Sequence, residues 1–140
     1  SRASEFSLQN QDGRTVRLSD HAGKNVLIWF FPRAFGGGED EAKGFRDRTQ
    51  EFRDKNTVLL GITFSSPEDL KTWADETGLT TDLLHDADRS VALAYGAAES
   101  AEQEKPVRLS VLVGPDGRVI KTYSGPEAAI HPAEALADLA

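Results

Sequence analysis

The residues best suited to chemistry lie in one short segment, residues 30–39, and in the acids that follow it. Three consecutive glycines precede three consecutive acids, in the order Gly36, Gly37, Gly38, Glu39, Asp40 and Glu41. Glycines ahead of a helix expose backbone N–H groups that can hold a carboxylate or a phosphate. No Lys, Ser or Thr of a phosphate-binding loop follows them, so a flexible loop is the simpler interpretation. The acids would stabilise a first helical turn by about 0.3–1 kcal/mol each without any further function.

The composition excludes chemistry that depends on a cysteine thiol, because the 140 residues include no cysteine. The chain therefore has no thiolate nucleophile, no disulfide and no zinc–thiolate site. Its three histidines, His21, His85 and His131, are too scattered to predict a metal site. We expect neither a metal nor a cofactor.

The net charge and the hydropathy of the chain limit the classes of partner and the cellular location that we expect. A net charge of −7 opposes binding to nucleic acid, which requires clustered Lys and Arg. The longest apolar run, residues 26–31, is far shorter than the roughly 20 residues of a membrane span, and the N-terminus lacks the apolar region of a signal peptide. We expect one cytoplasmic domain over residues 1–140 that binds neither nucleic acid nor membrane.

The elements that must position the glycine loop alternate between strands and helices. Continuous apolar runs at 26–31 and 58–63 predict central strands buried on both faces. Residues 39–54 carry apolar side chains at helical spacing and predict an amphipathic helix. A second helix is predicted from the N-cap Ser66 to a stop at Gly78.

The remaining segments complete an α/β pattern around a mostly parallel sheet. Asp12-Gly13 predicts an N-terminal hairpin, and the turn at 114–117 separates two antiparallel strands at 109–113 and 118–123. After a short strand, residues 86–88 are predicted to start a short helix that ends at Gly96. A last helix is predicted from about Pro132 to Leu139.

This order of elements, with several short stretches, resembles the peroxiredoxins of the thioredoxin-like fold. The similarity is strongest to the bacterioferritin-comigratory, or Q, subfamily of the AhpC/TSA type. The matching stretches are residues 6–13, 18–20, 31–32, 44–47, 66–68, 84–88 and 113–118. The resemblance covers essentially the whole chain and implies a three-layer α/β fold with a central mixed sheet and an N-terminal hairpin.

The chain departs from the family where the family's catalysis occurs. The family signature has a Pro, then a Thr four residues later and the peroxidatic Cys seven residues later, with an Arg from a later strand. Pro32 matches the Pro and Arg108 the Arg, but Gly36 stands at the Thr position and Lys43 at the place of a second, resolving Cys. Counting forward from Pro32 puts Glu39 at the Cys position. Counting back from residues 44–47 puts Gly38 there, as if the loop had lost one residue.

Because the chain resembles a peroxiredoxin but lacks the peroxidatic cysteine, we predict that it is not a thiol peroxidase. We expect a pseudoenzyme whose remodelled pocket binds a small ligand or a partner, with Glu39 paired to Arg108 as a permanent anion. Alternatively, Arg108 and Arg33 with the glycine N–H groups hold a small carboxylate or phosphate. A third hypothesis is a cofactor-independent enzyme that uses Glu39 as a general acid or base and Arg108 to stabilise negative charge. A similarity-based label would still be antioxidant oxidoreductase.

Two further expectations stay open at the level of sequence. The side chain of Phe35 either lines the pocket or packs in the hydrophobic core, and the sequence favours neither role. The assembly is a monomer or a homodimer. The ligand-binding candidates are Pro32, Arg33, Phe35, Gly36, Gly37, Gly38, Glu39 and Arg108, and the catalytic candidates are Glu39 and Arg108.

Overall fold

A seven-stranded mixed sheet runs through the part of the chain that the computed structural model describes, residues 1–36 and 38–139. The strands are β1 Ser7–Asn10, β2 Thr15–Arg17, β3 Asn25–Phe30, β4 Thr57–Thr63, β5 Asp82–His85, β6 Leu109–Val113 and β7 Val119–Ser124. The helices are α1 Glu39–Asp54, α2 Pro67–Thr77, α3 Ser90–Tyr95 and α4 His131–Ala137. The strand order is β2-β1-β5-β4-β3-β6-β7, in which β4 pairs in parallel with β3 and β5. The other pairings are antiparallel.

Alternation along β3 divides the core into two layers, one on each face of the sheet. Val26, Ile28 and Phe30 pack on the face that carries α3. Leu27, Trp29 and Phe31 pack on the face that carries α1, α2 and α4. Successive side chains of a strand point to opposite faces, so this buried strand contributes to both cores. The predicted three-layer α/β fold is confirmed.

Strand pairing places the glycine loop beside Arg108. Strand β6 pairs antiparallel with β3, and Leu109 lies opposite Phe30. The chain therefore leaves β3 toward the loop at the same edge of the sheet where it enters β6. Arg108, which directly precedes β6, consequently faces the start of α1.

Most predicted elements agree with the structure, with two exceptions. The sheet is mixed rather than mostly parallel, because only β4 pairs in parallel with its neighbours, and the helix predicted to start at residues 86–88 begins later. Helix α1 has the predicted bounds, and α2 begins after an N-cap in which Ser66 Oγ accepts from Asp69 N at 3.2 Å. Helix α3 begins only at Ser90, because the preceding Arg89 has a left-handed backbone with φ of 65°. The Asp86 carboxylate instead accepts from the backbone N–H groups of Val91 and Ala92.

Within residues 1–36 and 38–139, no helix is both long and apolar enough to cross a membrane. The cytoplasmic location stays a prediction.

Candidate functional site

Helix α1 begins in close contact with two aromatic rings. Gly38 is the buried N-cap, and its carbonyl accepts from Ala42 N at 2.8 Å. A Cβ at residue 38 would lie 2.9 Å from Phe31 Cδ2 and 3.0 Å from Trp73 Cη2. These separations are shorter than van der Waals contact, so the helix start is closed to a side chain at residue 38 unless the rings move.

The buried ion pair of the site joins Arg108 to Glu41. Arg108 Nη1 donates to Glu41 Oε1 at 3.0 Å, with the arginine side chain 25% exposed and the glutamate 0% exposed. Glu41 Oε2 is buried without a hydrogen-bond partner among the described residues. Burial raises the pKa of Glu41 from 4.5 to about 7, although the charge of Arg108 and its hydrogen bond act in the opposite direction. The pair therefore holds a carboxyl group that changes charge near neutral pH.

Glu39, in the first turn of α1, contacts the neighbouring helix α2. Its Oε2 accepts from the indole Nε1 of Trp73 at 2.9 Å. Glu39 also lines a cavity of about 230 Å³, together with Asp40, Arg108 and Ala128. The structure therefore brings the two catalytic candidates, Glu39 and Arg108, to one cavity.

The loop before α1 is held at its start and exposed further on. Thr63 Oγ1 donates to the carbonyl of Pro32 at 3.1 Å, and Ala34 N donates to Ser65 Oγ at 3.1 Å. Phe35 has a positive φ of 60°, which is unfavourable for an aromatic residue, and is 46% exposed. Its ring lies outside both hydrophobic clusters and outside the set of described residues that line the cavity.

Two of the remaining loop candidates lie at the surface. Arg33 and Gly36 are exposed, and Arg33 Nε lies 3.1 Å from where a Cβ on Gly36 would be. The candidate Gly37 lies outside the described residues.

The role of Glu41 was not predicted from the sequence, in which it is one of three acids in a first helical turn. A signal was present, because Glu41 precedes Phe45 by four residues and so shares its face of α1. A charged residue on the apolar face of an amphipathic helix requires a buried partner. Here that partner is Arg108.

The arrangement suits a polar ligand better than a metal ion. The guanidinium provides N–H donors, whereas Glu39 and Asp40 provide carboxylate acceptors. Within the described part of the chain, no group of three or more acidic or histidine side chains could hold a metal ion.

Comparisons with known proteins show the family to which this chain belongs. The sequence model of the AhpC/TSA family matches residues 1–122. Peroxiredoxin Bcp of Escherichia coli K12 is 35% identical over 123 residues, which are 84% of this chain and 79% of that protein. Peroxiredoxin Bcp of Bacillus subtilis is 29% identical over 144 residues, which are 99% of this chain and 92% of that protein.

Solved structures agree with this classification. The crystal structure of peroxidoxin BcpB from Mycobacterium tuberculosis superimposes with a TM-score of 0.90 at 26% identity, covering 99% of this chain and 94% of that one. The Xanthomonas campestris bacterioferritin comigratory protein has a TM-score of 0.86 at 25% identity, covering 96% and 89%. The fold is thus that of the thioredoxin-like peroxiredoxins. The chain belongs to the AhpC/TSA family, and it is a member without cysteine.

Proposed function

We propose that this protein is a peroxiredoxin-like pseudoenzyme that does not reduce peroxides through a protein thiol, and that its remodelled site binds a small polar ligand. The observation that carries the proposal is the guanidinium of Arg108, fixed by buried Glu41 at a cavity that Glu39 also lines. Arg108 matches the arginine of the family signature, so a charged donor group remains where the thiol is absent.

The first half of the proposal follows from the chemistry of sulfur. Peroxide reduction by a thiolate forms a sulfenic acid, which a second thiol then reduces. A carboxylate has no equivalent oxidation state, so neither Glu39 nor Glu41 can replace the cysteine. The Xanthomonas campestris relative is described as reducing alkyl peroxides. This chain, with no cysteine, is expected to lack that activity.

The second half follows from the groups around the cavity. Arg108 donates to Glu41 through Nη1. A guanidinium has five N–H donors, so others remain for a ligand. Glu39 and Asp40 present carboxylate oxygens to the same cavity, and these can accept from a donor on the ligand. A volume of about 230 Å³ is smaller than a typical drug-sized pocket of about 300–1,000 Å³. The matching ligand is a small molecule with a carboxylate or similar oxygen for Arg108 and a hydroxyl or ammonium group for the acids.

One observation favours a second candidate function, a cofactor-independent acid–base enzyme. Glu39 and Arg108 line the same cavity, so a carboxyl group and a cation face one space. In that case Glu39 would exchange a proton with the substrate and Arg108 would stabilise developing negative charge. Glu39→Gln should then abolish turnover, whereas in a binding protein it should only change affinity.

Two measurements test the proposal. Consumption of hydrogen peroxide with dithiothreitol as reductant should equal the protein-free rate, and consumption well above it would contradict the first half. For the second half, glycolate, acetate and ethylene glycol are titrated into isotopically labelled protein and followed by amide chemical shifts. Glycolate should bind more tightly than the other two, because only it offers both a carboxylate and a hydroxyl.

Variants assign the binding to the site. Arg108→Gln and Arg108→Lys should both lose glycolate binding, since lysine keeps the charge but not the planar array of donors. Arg14→Gln removes an exposed arginine of the N-terminal hairpin and is the matched control. Glycolate binding that survives both Arg108 substitutions, or no binding to the wild-type protein, would refute a ligand site here.

A further inference from the structure

A continuous row of aromatic rings runs through the core on the face of the sheet that carries α1, from Trp73 beside Glu39 to Tyr123 on β7. We call it the aromatic ladder, and its members in order are Trp73, Phe31, Trp29, Phe45, His131 and Tyr123. Successive ring centroids are separated by 5.2, 4.6, 5.0, 5.8 and 4.8 Å. Both tryptophans of the chain belong to it.

The indole of Trp73 and the phenol of Tyr123, at the two ends of the ladder, each donate to a carboxylate, whereas the indole of Trp29 between them does not. Trp73 Nε1 donates to the Glu39 carboxylate at 2.9 Å, and Tyr123 Oη donates to the Asp138 carboxylate at 2.7 Å. Trp29 Nε1 is buried without a hydrogen-bond partner among the described residues. Oxidation makes an indole N–H about as acidic as a carboxylic acid and makes a phenol far more acidic, so a hydrogen-bonded carboxylate can accept either proton and stabilise the radical. The ladder therefore has two sites suited to a neutral radical, joined by a tryptophan that can only pass an electron onward.

Strand register shortens the route between Trp29 and Tyr123. Trp29 on β3 lies opposite Ser110 on β6, and Ser110 lies opposite Tyr123 on β7. The two aromatic residues thus stand on the same face, separated by two strand spacings of about 4.8 Å each. The rings of Phe45 and His131 cover the space between them.

We propose that the aromatic ladder is a one-electron transfer path that moves an oxidising equivalent from Trp73 at the functional site to Tyr123. A diffusing one-electron oxidant at the protein surface, such as an alkoxyl or carbonate radical, takes one electron over a short distance from the buried Trp73 and is reduced, while the indole proton moves to Glu39. An electron then passes from Tyr123 through Trp29 to Trp73, which recovers its proton from Glu39. Tyr123 gives its phenolic proton to Asp138 and becomes a neutral tyrosyl radical. The proposal does not depend on a ligand in the cavity.

Composition and contacts both favour Tyr123 as the end point. The chain has no cysteine and no methionine, so no sulfur competes for the oxidising equivalent. Tyr95, the other tyrosine, packs against Phe6 and Phe30 on the opposite face of the sheet, and its hydroxyl donates to the carbonyl of Ser4. A carbonyl oxygen is a far weaker base than a carboxylate. Lys121 also donates to Asp138 and helps to lower its pKa, but an oxidised phenol is acidic enough to protonate that carboxylate.

Laser flash photolysis tests the proposal directly. The intact protein is oxidised with photogenerated tris(bipyridine)ruthenium(III), and the absorption bands of the tryptophanyl and tyrosyl radicals are followed in time. In the wild-type protein the tyrosyl band should grow as the tryptophanyl band decays, at a rate independent of protein concentration. A rate proportional to protein concentration would show transfer between molecules and would overturn the proposal.

Three variants locate the path. Tyr123→Phe keeps the ring and its packing and should lose the tyrosyl band while the tryptophanyl radical persists. Tyr95→Phe is the matched control and should behave as the wild type. Asp138→Asn leaves both tyrosines in place and should slow tyrosyl formation, which tests the path independently should Tyr123→Phe fail to fold. A tyrosyl band unchanged in Tyr123→Phe, abolished in Tyr95→Phe, or formed at the wild-type rate in Asp138→Asn would refute the inference.

Discussion

Replacing Glu41 with glutamine should remove a pH dependence of stability that arises from one buried carboxyl group. The side chain is 0% exposed, and burial raises its pKa from 4.5 to about 7 despite the opposing effect of Arg108. Between those two pH values the unfolded chain releases this proton while the folded protein retains it. Stability contributed by Glu41 is therefore lost as the pH rises from 4.5 to 7 and changes little above that.

The size of the effect follows from the pKa. Each pH unit between the unfolded and folded values corresponds to about 1.4 kcal/mol, so the shift from 4.5 to about 7 predicts a loss of about 3 kcal/mol. Glutamine has nearly the same shape, keeps an oxygen for Arg108 and does not titrate. The stability of Glu41→Gln relative to the wild type should thus increase by about 3 kcal/mol across this interval.

Urea unfolding at a series of pH values measures this difference. Comparing variant with wild type cancels the contributions of other titrating groups, including Asp86, whose pKa burial raises, and His131, whose pKa burial lowers. Glu51→Gln, on the exposed side of the same helix, is the matched control and should reproduce the wild-type pH profile. A difference between Glu41→Gln and wild type that stays flat from pH 4.5 to 7 would refute the burial of Glu41 and the geometry of the site built on it.

Two further predictions concern the helices that frame the site. Gly38→Ala should destabilise the protein by about 1–3 kcal/mol, because the new Cβ would meet the rings of Phe31 and Trp73. Gly36→Ala should be tolerated, because the nearest neighbour of its Cβ is the flexible end of Arg33. Urea unfolding measures the stability of both variants, and equal stabilities would contradict the close packing at Gly38. Ser66→Ala should cost about 1 kcal/mol by removing the N-cap of α2, measured in the same way, and an unchanged midpoint would contradict the cap.

The fold was predictable from sequence wherever the signals are local. The start of α2 is marked by Ser66 and Pro67 and its end by Gly78, which has the left-handed backbone of a helix stop. The start of α3 was predicted wrongly, at residues 86–88 instead of Ser90, and the reason is again local. Asp86 resembles a helix start, but its carboxylate reaches forward to Val91 and Ala92, and the intervening turn requires a left-handed Arg89. Nothing in the type of these residues specifies that longer reach.

The site was only partly predictable, because its key contact depends on strand pairing. Family resemblance led to Glu39 and Arg108, and the two do line one cavity. The partner of Arg108 inside the protein is Glu41, however, and that contact exists because β6 pairs with β3 and carries Arg108 to the base of α1. Which strands become neighbours is a property of the whole sheet. A sequence pattern could indicate that Glu41 is buried, but not beside which cation.

The burial of Glu41 also explains why the presence of Arg108 alone does not identify a ligand site. Removing one partner of a buried ion pair costs about 3–5 kcal/mol, because the other charge stays in a medium of low polarity. Arg108 therefore contributes to stability whether or not anything binds in the cavity. Lysine at this position separates the two roles, since it keeps a positive charge beside Glu41 but loses the planar array of donors. If the cavity binds a carboxylate as proposed, Arg108→Lys should retain more stability than Arg108→Gln and yet lose glycolate as completely.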